Sequence, residues 1–243
     1  MVTLFTGRMG LRAAAVALLT VALSGCGVTR DEPKKAQPAT PTSPAPSSPT
    51  PSGEPSAEPS AAAGAVTQPS DGRPRRATLD ISAIGVRGLA VVPYRGTTDD
   101  AAGTQIQDRG VAATPHGPEG GTGPGGVGNY LVTAHRTSST RAFAATPQLR
   151  RGDRVRVDVG TTRYVYEIVR TRSTSFRSPA SLAAQRAAVP GRPGATPTRA
   201  MITLSTCATA EDHAAGNYWS DEFHNPEHRI DKIGVLVGRS GPG

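Results

Sequence analysis

The stretch Arg154-Val155-Arg156-Val157-Asp158-Val159 decides the fold class, because polar and apolar residues alternate through it without a break. Such alternation is typical of a half-buried β-strand. The turn Gly160-Thr161-Thr162 follows, and Arg163-Tyr164-Val165-Tyr166-Glu167-Ile168-Val169 then alternates in the same way. Two alternating segments joined by a short glycine-containing turn predict a β-hairpin.

Further short apolar segments lie on both sides of this hairpin. They cover residues 79–81, 89–92, 129–134, 201–206 and 233–237. Helical signal is weak, and only residues 179–188 predict a short helix. Aromatic residues make up only 4% of the chain, so the core is expected to consist mainly of Val, Ile, Leu and Ala. Seven or eight short strands with glycine- and proline-rich turns favour an all-β barrel or sandwich.

The first 26 residues have the composition of an export signal. Arg8 and Arg12 precede an apolar run over residues 13–23, which is short for a membrane span and suits the core of a signal peptide. The run ends in Leu23-Ser24-Gly25-Cys26, which resembles the bacterial lipobox, where diacylglycerol is added to the cysteine sulfur. We therefore predict a signal peptide over residues 1–26 with lipid attachment at Cys26. An uncleaved signal anchor and a plain signal peptide are the alternatives.

Residues 27–76 predict a disordered linker. Pro, Ser, Ala and Thr dominate this segment, and it has few large apolar groups whose burial would offset the chain entropy of folding. The folded domain then spans residues 77–239, and residues 240–243 form a tail. This order predicts a domain held on a membrane anchor at the extracytoplasmic face of the bacterial plasma membrane.

The formal net charge of +8 raises the question of a nucleic-acid partner. The arginines are scattered, however, and no aromatic residues are interleaved with them as stacking platforms for bases. Examples are Arg95, Arg109, Arg141, Arg163 and Arg186. We expect no nucleic-acid binding and infer that the charge favours anionic lipid or wall polymers.

Two motif-like patterns are interpreted as loops. The segment Gly121-Thr122-Gly123-Pro124-Gly125-Gly126 matches GxGxxG, but no predicted strand precedes it and no helix follows it. His224 and His228 are four residues apart, but Pro226 between them prevents the helix that would align them as metal ligands. The sequence therefore predicts neither nucleotide binding nor a metal site.

Three segments place reactive side chains at predicted strand ends. His135 and Cys207 each end a buried strand, and Arg229 precedes the last one. A cysteine attacks as its thiolate, which a nearby imidazole favours, and an arginine offers a fixed charge to an oxyanion. If Cys26 is acylated, Cys207 has no disulfide partner in the chain, which marks it as a candidate reactive thiol. The combination suits acyl transfer, although each residue alone is as compatible with a structural role.

Several segments resemble the sortase family. Thr203-Leu204-Ser205-Thr206-Cys207 resembles the family's TLxTC signature, and Ala134-His135-Arg136-Thr137 is similar to the histidine segment of class E sortases. Arg229 precedes the final strand, as the family's arginine does. Residues 81–86 resemble the opening strand and residues 149–153 the LxxGD turn, so the similarity covers about residues 78–238.

The resemblance implies a closed eight-stranded sortase-type β-barrel with short helices and no cofactor. Cys207 would attack the threonine carbonyl of an LPxTG- or LAxTG-like sorting signal on a surface protein. His135 would protonate the leaving amine, Arg229 would steady the oxyanion or the peptide, and Thr206 would help position the substrate. The amine of a peptidoglycan precursor would then accept the acyl group.

Several alternatives stay open at this point. Lys232 competes with Arg229 for the role of the cation if the strand register differs. The segment 208–228 is a lid, an exosite or a surface insertion. The protein as a whole is alternatively a cysteine hydrolase with water as acceptor, or a non-catalytic lipoprotein that binds wall polymer or a partner.

Overall fold

The structure, a computed structural model, describes residues 69–241. The predicted signal peptide, its lipid attachment site Cys26, most of the predicted linker and the last two residues lie outside the described residues. Among the helices within residues 69–241, none has the length and apolar character needed to cross a bilayer.

Eight strands and three short α-helices make up the described part of the chain. The strands are β1 Ala77–Ile81, β2 Val86–Arg95, β3 Ala112–His116, β4 Gly128–Thr133, β5 Arg154–Val159, β6 Thr162–Ser175, β7 Ala200–Cys207 and β8 His228–Ser240. The α-helices are α1 Ala101–Asp108, α2 Pro179–Arg186 and α3 Thr209–Ala214. Single 3-10 turns cover Ser82–Ile84 and Thr146–Gln148.

The strands close into a barrel in the order β1-β2-β3-β4-β7-β8-β6-β5. The β2/β3 and β4/β7 pairs are parallel, and the other six pairs around the barrel are antiparallel. The closed eight-stranded barrel with short helices is therefore confirmed. The predicted hairpin is β5/β6, in which Val159 pairs with Thr162 across the turn.

Side-chain alternation places the core inside the barrel. Val155 and Val157 of β5 are fully buried, and they pair with the buried Tyr166 and Tyr164 of β6. Aliphatic residues form most of the core, as expected from the composition. Four of the chain's few aromatic residues join them: Tyr130, Phe143, Tyr164 and Tyr166.

The glycine-rich segment 121–126 packs against the barrel and against the residues that precede β1. The amide of Gly125 donates to the hydroxyl of Tyr166 at 2.7 Å, and its carbonyl accepts from the amide of Ser70 at 2.8 Å. The amide of Gly123 donates to the carbonyl of Gly72 at 2.7 Å. The glycines are needed here because a side chain would collide with neighbouring backbone or with the ring of Tyr164.

Three elements of the fold were not predicted from the sequence. Strand β3 reads Ala-Ala-Thr-Pro-His, and its buried small residues give no strand signal. Helix α1 has Gly103 in its middle, although its N-cap Asp100 is a recognisable start signal and accepts from the Gly103 amide at 2.8 Å. Helix α3 is a short helix directly after Cys207.

Candidate active site

Cys207 is the last residue of β7 and lies directly opposite Arg229 on the antiparallel strand β8. Residues paired in this way project their side chains to the same face of a sheet. Two residues earlier in the same register, Ser205 pairs with Asp231 and shares that face. Leu204, the residue before Ser205, belongs to the barrel core and therefore faces the opposite way. Cys207 and Arg229 therefore project outward from the end of the β7/β8 pair.

His135 reaches the same rim from the neighbouring strand β4. The parallel β4/β7 register pairs Thr133 with Ser205. Two hydrogen bonds continue the contact: the Ala134 amide donates to the Ser205 carbonyl at 3.4 Å, and the Thr206 hydroxyl donates to the Ala134 carbonyl at 2.9 Å. The register thus brings His135 beside Cys207, at the exposed ends of two adjacent strands.

The alternation along β4 also assigns His135 to the outward face. Tyr130, Val132 and Ala134 are core residues, so the residues between them project outward. His135 continues this outward series, on the face that carries Cys207 and Arg229. The structure therefore brings together all three predicted catalytic residues. Their catalytic roles remain predictions.

A carboxylate on α1 holds the imidazole of His135. Nε2 of His135 lies 2.9 Å from Oδ1 of Asp108, the last residue of α1. The His135 side chain is only 14% exposed, whereas that of Asp108 is 61% exposed. Such a contact fixes the orientation of the ring. Asp108 was missed from the sequence because it lies far from His135 in the chain, on a helix that was not predicted.

Arg229 is completely buried and has one ionic partner. Its Nε donates to Oδ2 of Asp99 at 2.8 Å, and its guanidinium carbon lies 4.3 Å from the centre of the Phe176 ring. Burial by itself lowers the pKa of Arg229, but the charge and hydrogen bond of Asp99, with smaller effects of Cys207 and Asp221, outweigh burial, so this pKa lies above the ordinary value of an arginine. The arginine therefore stays positively charged. Neither Nη1 nor Nη2 has a hydrogen-bond partner among the described residues.

The environment of Cys207 favours the thiol over the thiolate. Burial raises the pKa of Cys207, and the charge of Asp99 adds to the rise. Arg229 and Arg136 act in the opposite direction but do not cancel the effect of burial. The nucleophile therefore depends on its positive neighbours, and on proton transfer to a base, for the thiolate that attacks a carbonyl.

Arg136 is a second cation at the nucleophile. Its Nη1 donates to the Cys207 carbonyl at 3.2 Å, and its guanidinium forms a two-point ion pair with Glu211 on α3, with Nη2 at 2.9 Å from Oε1. This pair ties the start of α3 to the end of β4. From the sequence, Arg136 is recognisable only as part of the histidine segment, because its partner Glu211 lies 75 residues away.

Two further residues considered from the sequence, Thr206 and Lys232, have their polar groups hydrogen-bonded within the protein. Thr206 is 2% exposed and its hydroxyl is bound to Ala134, so its predicted contact with substrate stays a prediction. The amine of Lys232 donates to the Leu149 carbonyl at 2.8 Å and to the Thr171 hydroxyl at 3.0 Å. In the observed register Lys232 pairs with Leu204, whereas Arg229 pairs with Cys207.

The segment between Cys207 and Arg229 contains α3 and a loop. His228 is fixed by Asp212: its Nδ1 lies 2.7 Å from Oδ1, and its amide donates to Oδ2 at 3.0 Å. The side chain of Tyr218 is exposed and stacks on His213 with the ring centres 4.7 Å apart. Within residues 69–241 no three His, Cys, Asp or Glu side chains cluster as a metal site would require.

The fold and the geometry together define a closed β-barrel protein with cysteine, histidine and arginine at one rim. The family model described as Sortase domain matches residues 79–219, and the chain belongs to the sortase family, whose members are cysteine transpeptidases.

Solved structures of sortases are similar in fold at low sequence identity. The SrtA sortase from Actinomyces oris superposes with a TM-score of 0.51 at 18% identity, covering 69% of this chain and 84% of that one. Sortase E from Streptomyces avermitilis gives a TM-score of 0.49 at 22% identity, covering 70% and 91%. Sortase E1 from Streptomyces coelicolor with a tripeptide in the active site gives 0.49 at 22%, covering 68% and 90%. The comparison with curated proteins found no match.

Proposed function

We propose that this protein is an extracytoplasmic transpeptidase that cleaves C-terminal sorting signals of the LPxTG or LAxTG kind between Thr and Gly. The acyl group passes to the amine of a peptidoglycan precursor. The donors are surface proteins that bear the signal. The observation that carries the proposal is the direct pairing of Cys207 with Arg229 across β7 and β8, with His135 at the end of the adjoining strand.

In the first half-reaction, the Cys207 thiol gives its proton to His135, Sγ attacks the threonine carbonyl carbon and a C–S bond forms. The carbonyl oxygen becomes an oxyanion, for which the unpaired Nη donors of Arg229 are the fixed positive partners. Collapse of this intermediate breaks the C–N bond to glycine. The glycine nitrogen takes a proton from the imidazolium of His135, which Asp108 keeps in orientation.

In the second half-reaction, the acceptor amine attacks the thioester carbonyl and a new C–N bond forms. His135, now neutral, accepts the proton of the amine, and the C–S bond breaks to release Cys207. The imidazolium then returns its proton to Sγ, so bonds and protons balance without any redox step.

The test is cleavage of a fluorescence-quenched peptide library that carries LPxTG- and LAxTG-like sequences. The full chain is expected to cleave at least one of them and to form a covalent adduct at Cys207 that mass spectrometry detects. Cys207→Ala should abolish both while the circular dichroism spectrum stays unchanged. Cleavage by Cys207→Ala would show that another group does the chemistry.

Adding hydroxylamine as a small acceptor separates the candidate activities. A transpeptidase gives the hydroxamate of the threonine acyl group and faster turnover, whereas a hydrolase gives only the free acid. A wall-binding protein without activity gives neither product, and its folded Cys207 does not react with a methanethiosulfonate reagent.

The membrane location rests on the lipobox-like sequence alone. We propose that acylation of Cys26 holds the protein on the outer face of the plasma membrane. Metabolic labelling with an alkyne fatty acid is expected to label the wild-type chain and not Cys26→Ser. Equal labelling of both would remove the lipid anchor from the proposal.

A further inference from the structure

Asp99 lies at the centre of the contacts that hold Arg229. It belongs to the loop between β2 and α1 and is 6% exposed. One carboxylate oxygen accepts from Nε of Arg229 at 2.8 Å, and the other accepts from Nε2 of Gln107 on α1 at 2.7 Å. Both oxygens are therefore committed, one to the cation and one to the helix that orients the carboxylate.

The backbone of Asp99 is in an uncommon conformation. Its φ of 57° lies in the left-handed region, which few residues other than glycine adopt. Such a conformation persists only where the surroundings enforce it. Here the side chain of Asn225 donates to the Asp99 carbonyl at 3.3 Å. The hydrogen bond from Asn225 thus helps to hold the loop in the conformation in which the Asp99 carboxylate reaches Arg229.

Neighbouring contacts fix the same loop to α2. Arg186 donates to the Thr97 hydroxyl at 2.7 Å, and the Thr98 hydroxyl donates to Oε1 of Gln185 at 3.0 Å. Gln185 in turn donates to Ser205 at 3.1 Å, two residues before the nucleophile. The position of Asp99 is therefore set relative to β7 by a continuous series of hydrogen bonds.

The way in which Asp99 binds the guanidinium matters for the chemistry. A carboxylate that pairs with arginine end-on occupies the two Nη groups, which are the donors best placed for a carbonyl oxygen. Asp99 instead takes Nε, and Nη1 and Nη2 are left without partners although they are buried. Buried donors without acceptors are costly, and an incoming oxygen would satisfy them.

We propose that Asp99 is a positioning residue of the reaction, holding Arg229 by Nε so that both Nη groups are kept for the carbonyl that Cys207 attacks. The inference rests on the proposed transpeptidase function and assigns a residue that the sequence motifs do not include. Gln107 contributes to the same positioning, because its side chain donates to the second oxygen of the Asp99 carboxylate.

The charge of Asp99 argues for this role over activation of the nucleophile. Asp99 adds to the rise in the pKa of Cys207 that burial causes, so it opposes formation of the thiolate. A catalytic benefit of Asp99 is therefore expected through Arg229, which it contacts directly. The competing explanation is that Asp99 only neutralises a buried cation, a structural role that any positive residue at position 229 would need equally.

The experiment compares Asp99→Asn with Asp100→Asn in the full chain, by the kcat and KM for the best sorting peptide. Both variants lose one charge from the same loop, and asparagine still serves as the N-cap at position 100. Asp99→Asn is expected to lower kcat by about 10- to 100-fold with a smaller change in KM, as a misplaced catalytic group does. Asp100→Asn should stay within about twofold of wild type, because its carboxylate caps α1 and contacts no reacting group.

A second background separates positioning from charge neutralisation. Arg229→Lys keeps a cation that needs a counter-ion but removes the planar fork. If Asp99 positions the fork, adding Asp99→Asn to Arg229→Lys produces little further loss of acyl-enzyme formation in single-turnover assays. If Asp99 only neutralises charge, the loss is as large in the lysine background as in wild type, and the proposal is overturned.

Gln107→Met keeps the test decisive should Asp99→Asn fail to fold. It preserves the length of the side chain and removes the donor to Asp99. We expect a smaller fall in kcat than for Asp99→Asn. No further fall is expected when Gln107→Met is added to Arg229→Lys. A kcat equal to that of wild type in Asp99→Asn, or in folded Gln107→Met, would refute the positioning role. Cys207-dependent cleavage by the wild-type chain would still support the transpeptidase function in that case. A wild-type chain that cleaves no peptide would refute both.

Discussion

Oδ1 of Asp108 lies 2.9 Å from Nε2 of His135, so the last residue of α1 holds the imidazole that stands beside the nucleophile. The preceding residue, Gln107, holds Asp99 and through it Arg229. One turn of helix therefore supports both groups that flank Cys207.

Removal of the Asp108 carboxylate is expected to slow the proton transfers without weakening peptide binding. Asp108→Ala should lower kcat by at least about 10-fold with KM little changed, because the carboxylate holds the ring of the proposed acid in the orientation that proton transfer needs. Asp158→Asn is the matched control, since the Asp158 carboxylate accepts hydrogen bonds from Arg163 at the hairpin end of the barrel. A kcat for Asp108→Ala equal to that of Asp158→Asn would show that the contact has no catalytic role.

The three reactive residues are visible in the sequence because each is next to a strand with its own local signal. The runs before His135 and Cys207 are rich in apolar and β-branched residues, and their buried strands β4 and β7 lie side by side. The last strand is equally clear, although it begins at His228, five residues before the predicted start.

The residues that support the site are not visible in the same way. Asp99 and Asp108 reach their partners across 130 and 27 residues of chain, and the helix between them has little apolar periodicity. Only the tertiary fold brings α1 to the rim. Strand β3 gives no local signal for a related reason. It lies between β2 and β4, and its buried residues Ala112, Ala113 and Thr114 are small and do not alternate in polarity.

The thiol of Cys207 is expected to react with iodoacetamide more slowly than an ordinary thiol at neutral pH. Burial raises its pKa, and because the thiolate is the reactive form, the rate should continue to rise at pH values above the ordinary pKa of a cysteine. The measurement is the rate against pH in a Cys26→Ser background, with the urea-unfolded chain as reference. A folded-state midpoint at or below that of the unfolded chain would contradict the effect of burial.

Arg136 is expected to lower the pKa of the nucleophile. Arg136→Gln removes a positive charge and the hydrogen bond to the Cys207 carbonyl, so the alkylation midpoint should move to higher pH. Glu211→Gln is the matched variant, because it breaks the same ion pair but leaves the arginine charge in place. Its midpoint should not move upward. An upward shift of equal size in both variants would assign the effect to loosening of α3 and not to the charge.

The packing of the glycine-rich segment against the barrel predicts that alanine substitutions at two glycines of similar backbone conformation differ in their effect on stability. Gly125 and Gly160 have φ values of 74° and 56°, so alanine is strained at both, by about 1–2 kcal/mol. A Cβ at Gly160 would meet no atom within 4 Å, whereas at Gly125 it would collide with the ring of Tyr164. Gly125→Ala should therefore lose a further 1–3 kcal/mol or so through overpacking.

Thermal unfolding of the two alanine variants measures this difference directly. For a folded domain of this size, each kcal/mol corresponds to a fall in Tm of about 2–4 °C, so Gly125→Ala should melt clearly below Gly160→Ala. The amide of Gly125 also donates to the Tyr166 hydroxyl in the core, so displacement of the segment would disturb the barrel itself. Equal Tm values for the two variants would mean that the segment yields without cost and does not contribute to the stability of the barrel.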